Sequence, residues 1–223
     1  MESIIILFWW VLFGGSHLVL SSQQIRPKLI QRLGEWPFRG LYSLVAFVTL
    51  IPLIVYFFRH KHAEPLFWSS SIVTHDLTVI LMAFAFTLLS MGLTARPPSA
   101  MVSGSKPEAY GVTRITRHPT FAAFFVFGLA HGLVNGSLGD LIFFGGFAAF
   151  AWIGAWHQDQ RKVVEVPGYA EFKAVTSFLP FGAMIKKQQP LALKEMNWVA
   201  AVAGLVIFYL IRLYHSSWFG GLV

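Results

Sequence analysis

Six stretches of this chain are apolar almost throughout and contain no Lys, Arg, Asp or Glu: Ile4–Leu20, Leu41–Phe58, Leu77–Leu93, Phe121–Val134, Leu141–Trp156 and Trp198–Ile211. In hydrocarbon, backbone N–H and C=O groups have no water to bond, so each such stretch must satisfy itself as an α-helix. The pattern predicts an all-α polytopic membrane protein, a bundle of about six transmembrane helices in one domain over residues 1–223. Composition agrees: 56% of residues are hydrophobic and 12% charged, where soluble proteins carry about 25% charged residues. Phe121–Val134 and Trp198–Ile211 fall short of the roughly 20 residues that cross a bilayer core. Their helices are expected to run into Pro119, Asn135, Arg212 and Tyr214, helped by snorkelling and aromatic anchoring. Only Glu2 precedes the first stretch as a charge, and the first Lys or Arg is Arg26, so that stretch reads as a span and not a cleavable secretion signal.

Lys and Arg alternate from one connection to the next. None precedes the first span; the five loops hold 4, 2, 4, 0 and 6, and one follows. Loops one, three and five therefore hold 14 of the 17, which places them in the cytoplasm and both termini outside. The expected location is a bacterial inner membrane. The same asymmetry explains the net charge of +7 as one basic membrane face, so no nucleic-acid partner is expected. Thr94–Lys106 is the one Pro/Gly/Ser-rich linker, and Gln158–Lys194 reads as an amphipathic cytoplasmic segment carrying Tyr169, Phe172 and Phe178. No internal repeat of useful length is visible.

The chain has no cysteine and eight histidines, so any metal must be held by histidine or oxygen ligands. His60, His62, His157 and His215 fall at span ends or in loops and read as solvated. His17, His75, His118 and His131 lie within or at the mouths of predicted helices, where an ionisable group is costly and marks a functional site. Two of them repeat a pattern: Gly14 stands three residues before His17 and Gly128 three before His131. Helix side chains lean toward the N-terminus, so the residue one turn before a ligand is the one a docked flat macrocycle would strike. With Phe124 and Phe127 on the same face, His131 would sit in an aromatic wall suited to a porphyrin. The alternative is that small residues simply let helices approach.

Arg114-Ile-Thr-Arg117-His118-Pro119, Gly128-Leu-Ala-His131, Gly154-Ala-Trp-His-Gln-Asp-Gln-Arg161, Gly34-Glu-Trp-Pro-Phe-Arg-Gly-Leu-Tyr-Ser43 and Thr176-Ser-Phe-Leu-Pro-Phe181, with His17 and His75, together resemble the NnrU family and the related 15-cis-zeta-carotene isomerases. The resemblance runs almost end to end. It implies an integral membrane protein that binds haem b, its iron held by His17 and His131, and a redox-dependent rotation about the central double bond of a hydrophobic polyene, as in carotenoid biosynthesis. The isomerases carry cysteine where this chain has Gly128, so a thiolate ligand is not available here. On the predicted topology His17 lies about 7 Å deeper toward the cytoplasm than His131, which leaves His75 as an alternative partner for His131. Arg39, Arg114 and Arg117, with Tyr42, fall at the face where haem propionates need partners.

Two further functions are implied. Arg117-His118-Pro119 followed by Glu165, Gly168-Tyr169, Phe172 and Leu179-Pro180 is similar to isoprenylcysteine and phospholipid methyltransferases. That likeness implies an S-adenosylmethionine site with a lipid substrate, His118 in the catalytic machinery, and Arg117 with the helix-end amides holding a carboxylate. It covers only the second half of the chain. The NnrU name implies a denitrification-linked haem redox or nitric-oxide role. For the topology, a reporter that is active only in the cytoplasm should stay silent when fused after Val223; a signal there would overturn the assigned direction.

Overall fold

The computed structural model describes residues 1–62, 65–100 and 106–220. It contains six long helices: α1 (Glu2–Leu20), α3 (Glu35–His60), α4 (Ile72–Ala95), α6 (Pro119–Val134), α7 (Leu138–Glu165) and α10 (Trp198–Phe219). Short helices α2 (Arg26–Leu33), α5 (Val112–Ile115), α8 (Tyr169–Val175) and α9 (Gly182–Ile185) lie in the connections. Five of the six are long and apolar enough to cross a membrane, and α6 is a shorter apolar helix of 16 residues. Each predicted span falls on one of the six. The structure lengthens them at polar ends: α10 runs through Arg212 and Tyr214 to Phe219, whereas α6 stops at Val134, where Asn135 caps it by bonding the His131 carbonyl. Of the Thr94–Lys106 linker, residues 101–105 lie outside the described residues.

Local sequence sets the helix starts. Ser71 and Thr74 form a reciprocal capping box at α4, Ser137 caps α7 through the Asp140 amide, and Asn197 caps α10 through the Ala200 amide, satisfying N–H groups that have no partner within the helix. Pro119 opens α6 at the one position where its missing N–H is not needed. The segment 158–194 is not a single surface helix. Its first eight residues continue α7 out of the apolar stretch, and the rest folds back as α8, α9 and a 3-10 turn, Leu193–Glu195.

The helices pack in the lateral order α3, α1, α7, α6, α4, α10. The row curls on itself, because Phe58 of α3 lies 6.1 Å from Phe219 of α10 and Lys61 bonds the Phe219 carbonyl. Two buried clusters hold it. One joins α1, α3 and α7 through Ile6, Trp10, Leu53, Phe57 and Phe143, with Phe57 and Phe143 stacked at 3.7 Å and the Trp10 indole donating to the Phe143 carbonyl. The other joins α4, α6 and α10 through Leu88, Met91, Ala122, Ala123, Met196 and Ala200.

At the centre of the row α6 and α7 nearly touch at Gly128. A methyl group on Gly128 would overlap the Phe144 carbonyl and the Ala148 backbone. This corrects the expectation that Gly128 clears room for a macrocycle: its bare face is spent on helix packing, where hydrocarbon supplies no hydrophobic drive and close backbone contact does the work. Gly14 differs, since a methyl there would meet only Phe150 at an ordinary 3.7 Å. Gly128→Ala should therefore destabilise the purified protein by about 1–3 kcal/mol, read as thermal unfolding in detergent, while Gly15→Ala, which faces open space, should change little.

Candidate functional site

Two polar centres sit in the bundle, and His118 belongs to a different one from His17 and His131. On α1, His17 Nδ1 lies 3.0 Å from the Phe13 carbonyl; on α6, His131 Nδ1 lies 3.0 Å from the Phe127 carbonyl. A carbonyl only accepts, so in both rings Nδ1 carries the proton and Nε2 keeps its lone pair. That is the arrangement in which a backbone carbonyl orients a histidine and raises its strength as a metal ligand. Each ring is set in aromatics: His17 against Phe13, Tyr42 and Phe150, at 4.3, 4.8 and 5.4 Å, and His131 against Phe127 and Phe144, at 4.3 and 4.7 Å. Phe147 bridges the two walls, meeting Trp10 of α1 at 5.0 Å and Phe127 at 5.2 Å.

The two histidines do not stand level. Their neighbours Phe150 and Phe144 are six residues apart on α7, about 9 Å along its axis, with His17 nearer the end where loops one and five lie. The histidine ring beside His131 is that of His215 on α10, 6.5 Å away across the inside of the curl. His75 lies in the first turn of α4, paired with Asp76 at 3.3 Å, and Thr78 three residues on bonds the Ala130 carbonyl beside His131, so His215 joins His75 as an alternative partner for His131. Three residues read as solvated are otherwise engaged: His62 pairs with the fully buried Asp140 at 2.6 Å, His157 bonds Ser21 at 3.4 Å, and His60 donates to the Tyr56 carbonyl. Among the described residues no three His, Asp or Glu side chains gather into a metal cage.

The second centre lies where α6 begins. Asp159 of α7 takes the Arg117 guanidinium at 2.6 Å, His118 Nε2 at 2.8 Å and the Tyr169 hydroxyl at 2.6 Å. Arg117 also donates to the Thr176 carbonyl, and its own amide to Ser177. Burial and the neighbouring Asp159 carboxylate both raise the Tyr169 hydroxyl far above its ordinary value. His118 and Arg117 are buried. The carboxylate that Arg117 binds is thus the chain's own, which corrects two expectations: Arg117 is not free to receive haem propionates, nor the carboxylate of S-adenosylmethionine. Arg39, at the outer surface, pairs with Glu35 and lies over Trp36, and Arg114 forks onto Glu195, which holds the Glu195 carboxyl below its ordinary range.

Asp159 was not singled out by sequence, because a carboxylate among helical polar residues looks solvated until its three donors converge from other elements. Asp159→Ala should destabilise the protein by about 3–5 kcal/mol by leaving Arg117 buried and unpaired, and Tyr169→Phe by about 1 kcal/mol, both measured by thermal unfolding.

Comparison with known proteins places these residues in context. The chain is 26% identical over 201 residues to the chloroplastic 15-cis-zeta-carotene isomerase of Zea mays, covering 85% of this chain and 53% of that protein. It is 29% identical over 187 residues to the corresponding Arabidopsis thaliana isomerase, covering 81% of this chain and 50% of that one. The chain thus spans about half the length of these curated relatives. No solved structure matches. The profile described as NnrU protein matches residues 5–222, and with almost the whole chain covered, the protein belongs to the NnrU family.

Proposed function

We propose that this protein is a haem b-dependent membrane isomerase that rotates a cis double bond near the middle of a long hydrophobic polyene, with zeta-carotene the model substrate. The observation that carries the reading is the matched posture of His17 and His131: both rings are tied by Nδ1–H to the carbonyl four residues back, and both keep Nε2 for a ligand. The donor set would suit a haem iron, for which His17 and His131 would supply imidazole nitrogens within apolar aromatic walls. Bound there, haem would supply reducible iron able to share electron density with a conjugated chain and lower the barrier to rotation about its central bond.

The chain's own residues do the rest. Phe13, Phe127, Phe144 and Phe150 exclude water and give a conjugated substrate flat faces to lie against. His17 sits in the last turn of α1, followed by a turn and the short α2, and would hold the group from the less constrained side, with His131 inside α6 holding the other. The similarity to plant isomerases supports the substrate class. The methyltransferase reading loses its anchor, because Arg117 and His118 are committed to Asp159.

The test combines spectrum and product. His131→Ala should lose haem, seen as loss of the reduced b-type bands, and His17→Ala should weaken retention or leave a five-coordinate spectrum. A bacterium accumulating 15-cis-zeta-carotene should shift toward the 15-trans form when the chain is expressed, and not with His131→Ala. Full haem content in both variants overturns the ligand assignment, and retention lost in His215→Ala but not His17→Ala would move the second ligand to α10. An unchanged isomer ratio with haem bound leaves the denitrification-linked redox or nitric-oxide role.

A further inference from the structure

The strongest unassigned feature lies just cytoplasmic of His17. His17 and Ser21 share one face of α1, and Ser21 meets His157 of α7 at 3.4 Å. One turn further along α7, Arg161 is buried, 6% exposed, and so is Lys162. A buried cation is costly unless its charge and its N–H groups are satisfied, and here they are not. Arg161 donates to Gln158 at 2.8 Å, but its buried Nε has no hydrogen-bond partner and lies 3.4 Å from Glu165. Glu165 already serves Arg26 at 3.1 Å. Three cations, Arg26, Arg161 and Lys162, thus share one carboxylate, with the neutral Tyr42 and His157 the other titratable groups around them.

Tyr42 packs on the His17 ring at 4.8 Å, and Ser21, one turn beyond His17, meets His157 of α7, the residue one turn before Arg161. Side chains on α7 lean toward its N-terminus, and Arg161 donates back to Gln158, so its guanidinium lies on the His157 side of its own turn. A ligand held at His17 would present its polar end to this cluster, and a buried guanidinium Nε with no hydrogen-bond partner suits an oxyanion.

Resting on the haem reading above, we propose that Arg161, with Arg26, Lys162 and Tyr42, forms a carboxylate-binding cluster beside His17 and takes the haem propionates. This replaces Arg39 and Arg117, whose charges are already committed. A phosphate of an anionic lipid headgroup shares the chemistry, and the experiment separates the two sources.

Purified full-length protein in neutral detergent would be titrated with haem b and with its dimethyl ester, which keeps the iron and ring but removes both carboxylates. Wild type should bind haem b about tenfold tighter than the diester. Arg161→Gln should erase that preference by weakening haem b alone, leaving diester affinity unchanged, and Arg26→Gln, at a partly exposed position that folding tolerates, should reduce it in the same direction. Arg39→Gln should leave the preference intact. Equal binding of both porphyrins by wild type overturns the proposal while the haem reading stands. If anionic lipid copurified with wild type is then lost in Arg161→Gln, the cluster belongs to a headgroup. No binding of either porphyrin by folded wild type overturns both.

Discussion

Asp159 accepts from Arg117, His118 and Tyr169 at once, and the end of the bundle where α6 begins is arranged around that carboxylate. Withdrawing an ion pair from water costs several kcal/mol per charge, and the pair is stable only if its remaining lone pairs and protons are also met. That condition fixes three elements together: the start of α6, the polar C-terminal extension of α7 and the short α8. It also explains why the chain after Val175 runs back beneath α6, with Ser177, Phe178 and Phe181 bonding the backbone and side chains of Ile115, Thr116 and Arg117.

With that end pinned, α6 and α7 form a rigid pair, in contact at Gly128, and each presents aromatic side chains to the inside of the curl. His131 is held on α6, and the α7 ladder of Phe144, Phe147 and Phe150 carries the aromatic wall from His131 to His17. The opposite wall, α1 and α3, is held mainly by ring packing in the apolar cluster around Trp10, Phe57 and Phe143.

The division of the histidines follows from their bonding. His17 and His131 spend Nδ1 on their own helices and keep Nε2; His118 spends Nε2 on Asp159, and its Nδ1 faces no hydrogen-bond partner. The third holds the protein together at the start of α6. His60 makes the same Nδ1 bond, to the Tyr56 carbonyl, so what distinguishes His17 and His131 is that their rings lie against Phe150 and Phe144 of α7.

By itself the sequence determined that there are six apolar helices, because hydrocarbon leaves an uncharged stretch no other way to satisfy its backbone. Family membership was equally legible, in motifs spread from His17 to Phe181. Only tertiary structure decided what the charges do. Arg117 looked free to bind a ligand until Asp159 arrived from 42 residues away, Gly128 looked like a cradle until α7 closed on it, and His215 looked solvated until the row curled and brought it beside His131. Apolar periodicity is a property of one helix, readable along the chain. A hydrogen bond, an ion pair or a close approach needs two elements, and its partner is set by which helices the curl places side by side.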